Sequence, residues 1–243
     1  MCTVSYLPTE HGFILTSNRD EAPARHAVTV AHQQRGEVQI SFPQDPLSGG
    51  SWFAVSDRGT ICCLLNGARE PFTPHPRYSD SRGTVVLTSF DYHDTRRFAA
   101  EYDFSRTAPF TLVLRSGDKL EQLIWDGLDT ELTALDPLAP HFWSSVTLYP
   151  PPVRVWRREL FATWRAAHPV PVQDDIIDFH RYGGRGDAAN DLVMNRKGKV
   201  RTLSISSVAR QGDTLTFRYL DLRDPANDHL QTIDITHGVA SNP

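Results

Sequence analysis

The chain has 243 residues, of which 40% are apolar and 22% charged, with a net charge of −4. These totals fit a globular protein with an ample core, and the mild acidic balance argues against a general nucleic-acid binder, whose phosphate contacts need a basic surface. No run approaches the ~20 consecutive apolar residues of a membrane span, and the start lacks the basic-then-apolar pattern of a secretory signal. The expectation is therefore a cytoplasmic protein whose three cysteines stay reduced.

The chain opens MCTVSYLP, with Cys2 directly behind Met1. Residues 3–7 and 13–18 flank the turn-like PTEHG and predict a hairpin. With a five-residue connection at 8–12, Leu7 faces Phe13, paired numbers sum to 20, and Cys2 lies opposite Asn18. Alternation along the second strand puts Ser17 and Arg19 on one face and Asn18 and Asp20 on the other. Residues 51–56 and 60–66 predict a second hairpin, with Cys62 and Cys63 as buried free thiols. Residues 110–115 and 120–125 predict a third. The stretch 83–102 reads as one broken helix or two short ones, with Asp94 as an N-cap.

Residues 151–169 have prolines at start and stop. Val153, Trp156, Leu160 and Trp164 recur there at helical spacing and predict one apolar face. In 172–184, Val172, Ile176 and Phe179 share a face, and the segment ends in glycines. A late hairpin is expected from 202–209 and 214–220, with 230–235 as an edge strand. Strands, then helices, then strands predict an α+β arrangement of antiparallel sheets in one domain, residues 1–243.

Removal of Met1 would leave Cys2 carrying both a thiol and a free α-amine. An α-amine has a pKa of roughly 7.7–8.0, low enough to act as a base near neutrality. One residue then supplies nucleophile and base, the logic of N-terminal-nucleophile catalysis. The plain alternative is a small hydrophobe starting an edge strand. The cluster Asn18-Arg19-Asp20-Glu21 ends the second strand beside Cys2. It is either a solvated turn or a set that holds the amine and orients substrate, the arginine lowering the thiol pKa.

Other motifs point elsewhere. Gly49 and Gly50 precede a strand and lack the rest of a phosphate loop, so tight backbone packing is expected. The ten histidines show no HExxH pattern and the cysteines no zinc-like spacing, so neither metal nor cofactor is assigned. His180 reads as a residue at a helix C-terminus. Trp156, Phe161 and Trp164 read as helix-packing groups.

The segments MCTVSYLP, NRDE, LSGGSWFAVSDRGTICCLLNGAR and VRTLSISSVARQGDTLTF together resemble the NRDE family, whose animal members are transport and Golgi organisation proteins. The resemblance covers nearly the whole chain. It implies a four-layer αββα sandwich similar to the N-terminal-nucleophile hydrolases. Within these it implies likeness to the cysteine branch of penicillin V acylases, bile salt hydrolases and ceramidases, which cleave non-peptide amides of small molecules. Carried over by position, the resemblance implies Cys2, Arg19, Asp20, Asn66 and Arg201 as catalytic residues. It implies Asn18, Glu21 and Asn190 as substrate-binding residues, with Asn195 a rival to Asn190. The branch separates its early arginine and aspartate by two residues, whereas Arg19 and Asp20 are adjacent, which makes Glu21 a rival for the acidic role. The family's links to haem and lipid handling imply an alternative, a non-catalytic carrier of an apolar ligand. His75 and His141 are the surface histidines that could ligate a haem iron.

Overall fold

A computed structural model describes residues 3–27 and 29–236. In chain order the first strands are β1 (Thr3–Thr9), β2 (Gly12–Glu21), β3 (Val30–Arg35), β4 (Val38–Pro43), β5 (Phe53–Ser56) and β6 (Ile61–Asn66). Helices α1 (Arg82–Thr88) and α2 (Thr95–Glu101) follow. Next come β7 (Phe110–Ser116), β8 (Lys119–Trp125), β9 (Thr130–Leu135) and β10 (His141–Ser144). Helices α3 (Pro151–Ala167) and α4 (Gln173–Tyr182) precede β11 (Asn195–Arg196), β12 (Val200–Gln211), β13 (Thr214–Asp221) and β14 (His229–Asp234).

Two antiparallel sheets result. One runs β10-β1-β2-β12-β13-β14, with β11 added beside β12; the other runs β3-β4-β5-β6-β7-β8-β9 in sequence order. The first sheet thus joins the two ends of the chain, because β2 pairs with β12 along nearly its whole length. Period-two alternation gives each sheet two distinct faces. Val4, Tyr6, Phe13 and Leu15 face the other sheet, and across the same interface Phe217 of β13 stacks on Phe53 of β5 with ring centroids 5.9 Å apart. Each such buried ring contributes roughly 1.5–3 kcal/mol by transfer from water. Leu7 and Ile14 point the other way, onto Phe161 of α3 and Ile176 and Phe179 of α4. Helix α1 packs on β5 and β6 from the far side of the second sheet. Helix, sheet, sheet, helix is the four-layer order expected.

Several expectations need correction. The first hairpin turns through Glu10 and His11 alone, since Thr9 pairs with Gly12. Paired numbers therefore sum to 21: Leu7 faces Ile14 and Thr3 faces Asn18. The strand continues through Pro8 because β10 pairs only Thr3–Tyr6, so Pro8 has a neighbour strand on one side only. Cys2 lies outside the described residues. The most buried residues of α3 are Arg157 and Phe161, while Trp156 sits at the rim under the Arg185 guanidinium, 4.5 Å away. In α4, Val172 is 57% exposed at the N-cap, and the covered face is Ile176, Ile177, Phe179 and His180. Strands β3 and β9 are half-exposed edges whose polar side chains mask the strand pattern.

The glycine pair behaves as expected. A Cβ on Gly50 would lie 2.4 Å from the Gly83 carbonyl carbon, and the Ser51 N–H donates to the Gly83 carbonyl at 2.9 Å. The 44–51 loop is thereby fastened to the first turn of α1, whose N-cap is Ser81.

Candidate functional site

Four strand ends converge where β1 begins. Thr3 pairs with Asn18 of β2 and Ser144 of β10. Ser145, the next residue, donates its hydroxyl to the Asn66 carbonyl at 2.8 Å, bringing the end of β6 to the same place. β12 crosses here with Arg201 opposite Glu21 and Thr202 opposite Asp20; a bulge then shifts Ser204 opposite Arg19.

On the sheet-to-sheet side, the Arg19 guanidinium lies 3.7 Å over the Trp52 ring and is 2% exposed. Its Nη1 donates to the Arg25 carbonyl at 2.5 Å and its Nη2 to the Asp45 carboxylate. Arg25 donates from Nε to the same Asp45 oxygen at 2.9 Å, with Glu21 3.8 Å away. Burial pushes the Asp45 carboxyl up. The Arg25 hydrogen bond, the Ser48 N–H and the two guanidinium charges outweigh that and hold it below its ordinary value. Asp45 therefore stays ionised and clamps both arginines.

These groups border a cavity of about 440 Å³, closed on its other side by the first turn of α1. Asn66 forms part of the wall and is 7% exposed. Its Oδ1 has no hydrogen-bond partner among the described residues, and neither has the Nε1 of Trp52. A buried polar atom left so costs about 1–3 kcal/mol. Unsatisfied groups of this kind at a cavity wall mark a place built for something other than stability.

The helix side of the same strands is polar but closed. Asp20, 1% exposed, accepts from Tyr149 Oη and from Thr202 Oγ1, each at 2.6 Å. Burial, and then the Asp20 charge, raise Tyr149 well above its ordinary pKa and keep its proton in place. Arg157 is fully buried; it donates to Thr3 Oγ1 at 2.5 Å and to the Asn190 and Asp191 carbonyls at 3.0 and 2.6 Å. Its guanidinium carbon lies 3.6 Å over the Tyr149 ring.

His180 joins this layer. Asn18 donates from Nδ2 to the carbonyls of His180 and Leu192, which fixes its Oδ1 as the acceptor facing His180 Nδ1 at 2.6 Å. Nδ1 therefore carries the proton, and Nε2 accepts from Ser5 Oγ at 2.7 Å. Burial, aided by the Arg157 charge, pushes the imidazole pKa down to about 3.

The sequence-derived residues thus divide. Arg19, Glu21 and Asn66 border the cavity. Asn18 and Asp20 sit on the opposite face, as strand alternation requires, because the bulge lies in β12 and leaves β2 regular. Arg201 is half-buried beside Glu21 in the ladder, away from the cavity wall, with no side-chain hydrogen bond among the described residues. Asn190 binds Asp187 at 2.9 Å and meets Arg196 at 3.3 Å, its carbonyl serving Arg157. Asn195 is exposed and caps the turn at Gly198. Sequence reasoning missed Arg25, Asp45 and Trp52 on one side, and Arg157, Tyr149, Thr202 and His180 on the other. Arg157 had left a trace: it falls at i+4 from Val153 and i−4 from Phe161, a charge in the middle of an apolar stripe.

A family model described as Transport and Golgi organisation 2 matches residues 1–143, more than half of the chain. The chain belongs to that family. A comparison with curated proteins gives no match. Among solved structures, it is similar to a mutant conjugated bile acid hydrolase from Clostridium perfringens, at 9% identity and a TM-score of 0.56, over 97% of this chain and 92% of that one. It is similar to a Caenorhabditis elegans orthologue of N-acylethanolamine-hydrolyzing acid amidase, at 10% identity and a TM-score of 0.56, over 85% and 92%. A second variant of the Clostridium perfringens hydrolase follows at 10% identity and a TM-score of 0.55, over 96% and 92%. The fold is accordingly that of the N-terminal-nucleophile hydrolases. Among the described residues, no helix is long and apolar enough to cross a membrane.

Proposed function

We propose that this chain is an N-terminal-nucleophile amidohydrolase that cleaves the C–N bond of a small non-peptide amide, with Cys2 as nucleophile once Met1 is removed. The observation that carries this reading is the setting of Thr3. The residue next to Cys2 is held by a fully buried arginine, at a point where strand ends bring Arg19 and Asn66 to one cavity. Both named solved neighbours are amide-cleaving enzymes, and one was solved with alanine in place of the cysteine at its second position.

The chemistry balances with groups of this chain. The α-amine of Cys2 takes the thiol proton, directly or through a water. The thiolate attacks the amide carbonyl carbon and forms a C–S bond, and the carbonyl oxygen becomes an oxyanion. Asn66 or a backbone N–H donates to that oxyanion; losing one such donor costs on the order of 100- to 1000-fold in rate. The C–N bond then breaks, and the leaving amine takes the proton from the ammonium. Water hydrolyses the thioester, releasing the acid and restoring the thiol. Arg19 favours the thiolate by its charge. Asp20 and Arg157 hold the strand from behind. A reducing compartment such as the cytoplasm keeps the thiol available.

A carrier of haem or lipid would need a predominantly apolar pocket. The cavity is bordered instead by six charged side chains, Arg19, Glu21, Arg25, Asp45, Asp80 and Arg82. Intact mass measurement and an amide-substrate screen test the hydrolase reading. The expected result is a mature chain lacking Met1, with turnover that Cys2→Ala abolishes. A retained Met1, or turnover unchanged in Cys2→Ala, would sink it.

A further inference from the structure

Arg25 is held differently from the other arginine clamped by Asp45. It ends a short 3-10 turn, Pro23–Arg25, whose backbone closes through the Arg25 N–H to the Ala22 carbonyl at 2.9 Å. Its own carbonyl receives Arg19, and its Nε is fixed on Asp45. Both neighbouring carboxylates, Asp45 and Glu21, approach the guanidinium at Nε. Its Nη groups make no hydrogen bond among the described residues, and the side chain, 34% exposed, borders the cavity. A planar donor edge without a protein partner among the described residues, on a side chain that borders a cavity and is fixed at Nε by an ion pair, is suited to grip a carboxylate through two parallel bonds.

The rest of the wall limits what carries that carboxylate. At about 440 Å³ the cavity holds roughly fifteen water volumes of ~30 Å³ each. Its apolar and aromatic side chains are Leu47, Trp52, Leu64, Tyr78 and Ala108, and Leu47 is 69% exposed. Such a wall offers little to a long acyl chain or a steroid.

Building on the amidohydrolase reading of this cavity, we propose that its substrates are small amides bearing a carboxylate, of the N-acyl amino acid type, and that Arg25 binds the carboxylate through its Nη edge. Arg25 is a specificity residue in this arrangement, and Asp45 positions it.

The test separates binding from turnover. Full-length Cys2→Ala protein is titrated calorimetrically with N-acetylglycine, N-acetylserine and N-acetylphenylalanine, each against its uncharged carboxamide, and with N-dodecanoylglycine. At least one acid should saturate, with its carboxamide roughly 10- to 100-fold weaker. Adding Arg25→Gln should erase that gap, and N-dodecanoylglycine should bind no tighter than N-acetylglycine. A second measurement needs no variant of Arg25: the bound acid should shield Arg25 from modification by phenylglyoxal, read by peptide mass, and the carboxamide should not. The proposal is overturned if no acid saturates, if acid and carboxamide bind equally, if the gap survives Arg25→Gln, if the long chain binds tighter, or if Arg25 is not shielded. Turnover is scored separately with Cys2 intact. Arg25-dependent binding without hydrolysis removes the amidohydrolase reading and leaves the role of Arg25 standing; hydrolysis with no preference for the acid does the reverse.

Discussion

Strand β2 has two polar faces that are built to opposite rules. On the helix side, the hydrogen bonds that the Asn18 and Asp20 side chains make among the described residues run to Tyr149, Thr202, His180 or a carbonyl. On the cavity side, Arg19 is clamped, yet among the described residues the Asn66 Oδ1 and the Arg25 Nη groups at the cavity wall have no hydrogen-bond partner. Buried polar groups favour one structure when fully satisfied and cost stability when they are not. In the proposed hydrolase the closed face is scaffold and the open face is equipment. Adjacent residues in the sequence, Arg19 and Asp20, enter different surroundings because a strand sends them opposite ways.

That contrast can be broken from either side. The largest effect is expected from Arg157→Met. It strips Thr3 Oγ1 and two carbonyls of their donor at once, and at about 1–3 kcal/mol per orphaned acceptor the loss should reach about 3–5 kcal/mol in denaturant unfolding. A loss under about 1 kcal/mol would show that the helix-side network is not scaffold. Next is Asn66→Ala on the open face. Turnover should fall about 100-fold or more, while unfolding stability should hold or rise because an unsatisfied acceptor is removed. A stability loss as large as that of Arg157→Met would erase the distinction between the faces.

A pH effect follows on the closed face. The folded His180 pKa is pushed down to about 3 from 6.5, so the unfolded chain takes up a proton that the folded one refuses. Its stabilising contribution is complete above about pH 6.5 and declines as pH falls toward 3, by up to about 1.4 kcal/mol per pH unit. His180→Gln should flatten the slope of unfolding free energy between pH 6 and 4; an unchanged slope would assign that dependence to other groups. The smallest effect is expected from Asn195→Ala, which removes one exposed turn cap. It should cost less than about 1 kcal/mol and leave turnover intact. A marked fall in turnover would return Asn195 to the site.

Much of this was legible in the chain itself. The hairpins at 51–66, 110–125 and 202–220 show because their strands are buried and strongly apolar between short turns. Asp94 was legible as a cap because its side chain does what its type favours, accepting from the Arg97 N–H. The register of the first hairpin was not, since Glu10 and His11 carry no strong turn signature and a one-residue slip changes every cross-strand partner. The wall of the candidate site was half legible. Arg19 and Asn66 stand in quotable motifs. Asp45 reaches Arg19 across 26 positions and Arg25 across 20, and no local pattern records such a pairing. His180 was read as a helix end; its burial is set by Ser5 and Asn18, both more than 160 positions away.

The Gly50–Gly83 contact bears on how this cavity can change. The two wall segments meet backbone to backbone, with no side chain between them. The outline of the chamber therefore does not depend on which groups decorate it. An exposed neighbouring position such as Leu47 can be exchanged, and the ligand preference altered with it, inside an unchanged frame. A single methyl group at either glycine would act as a wedge between the segments, resizing the chamber without touching any group that meets a ligand.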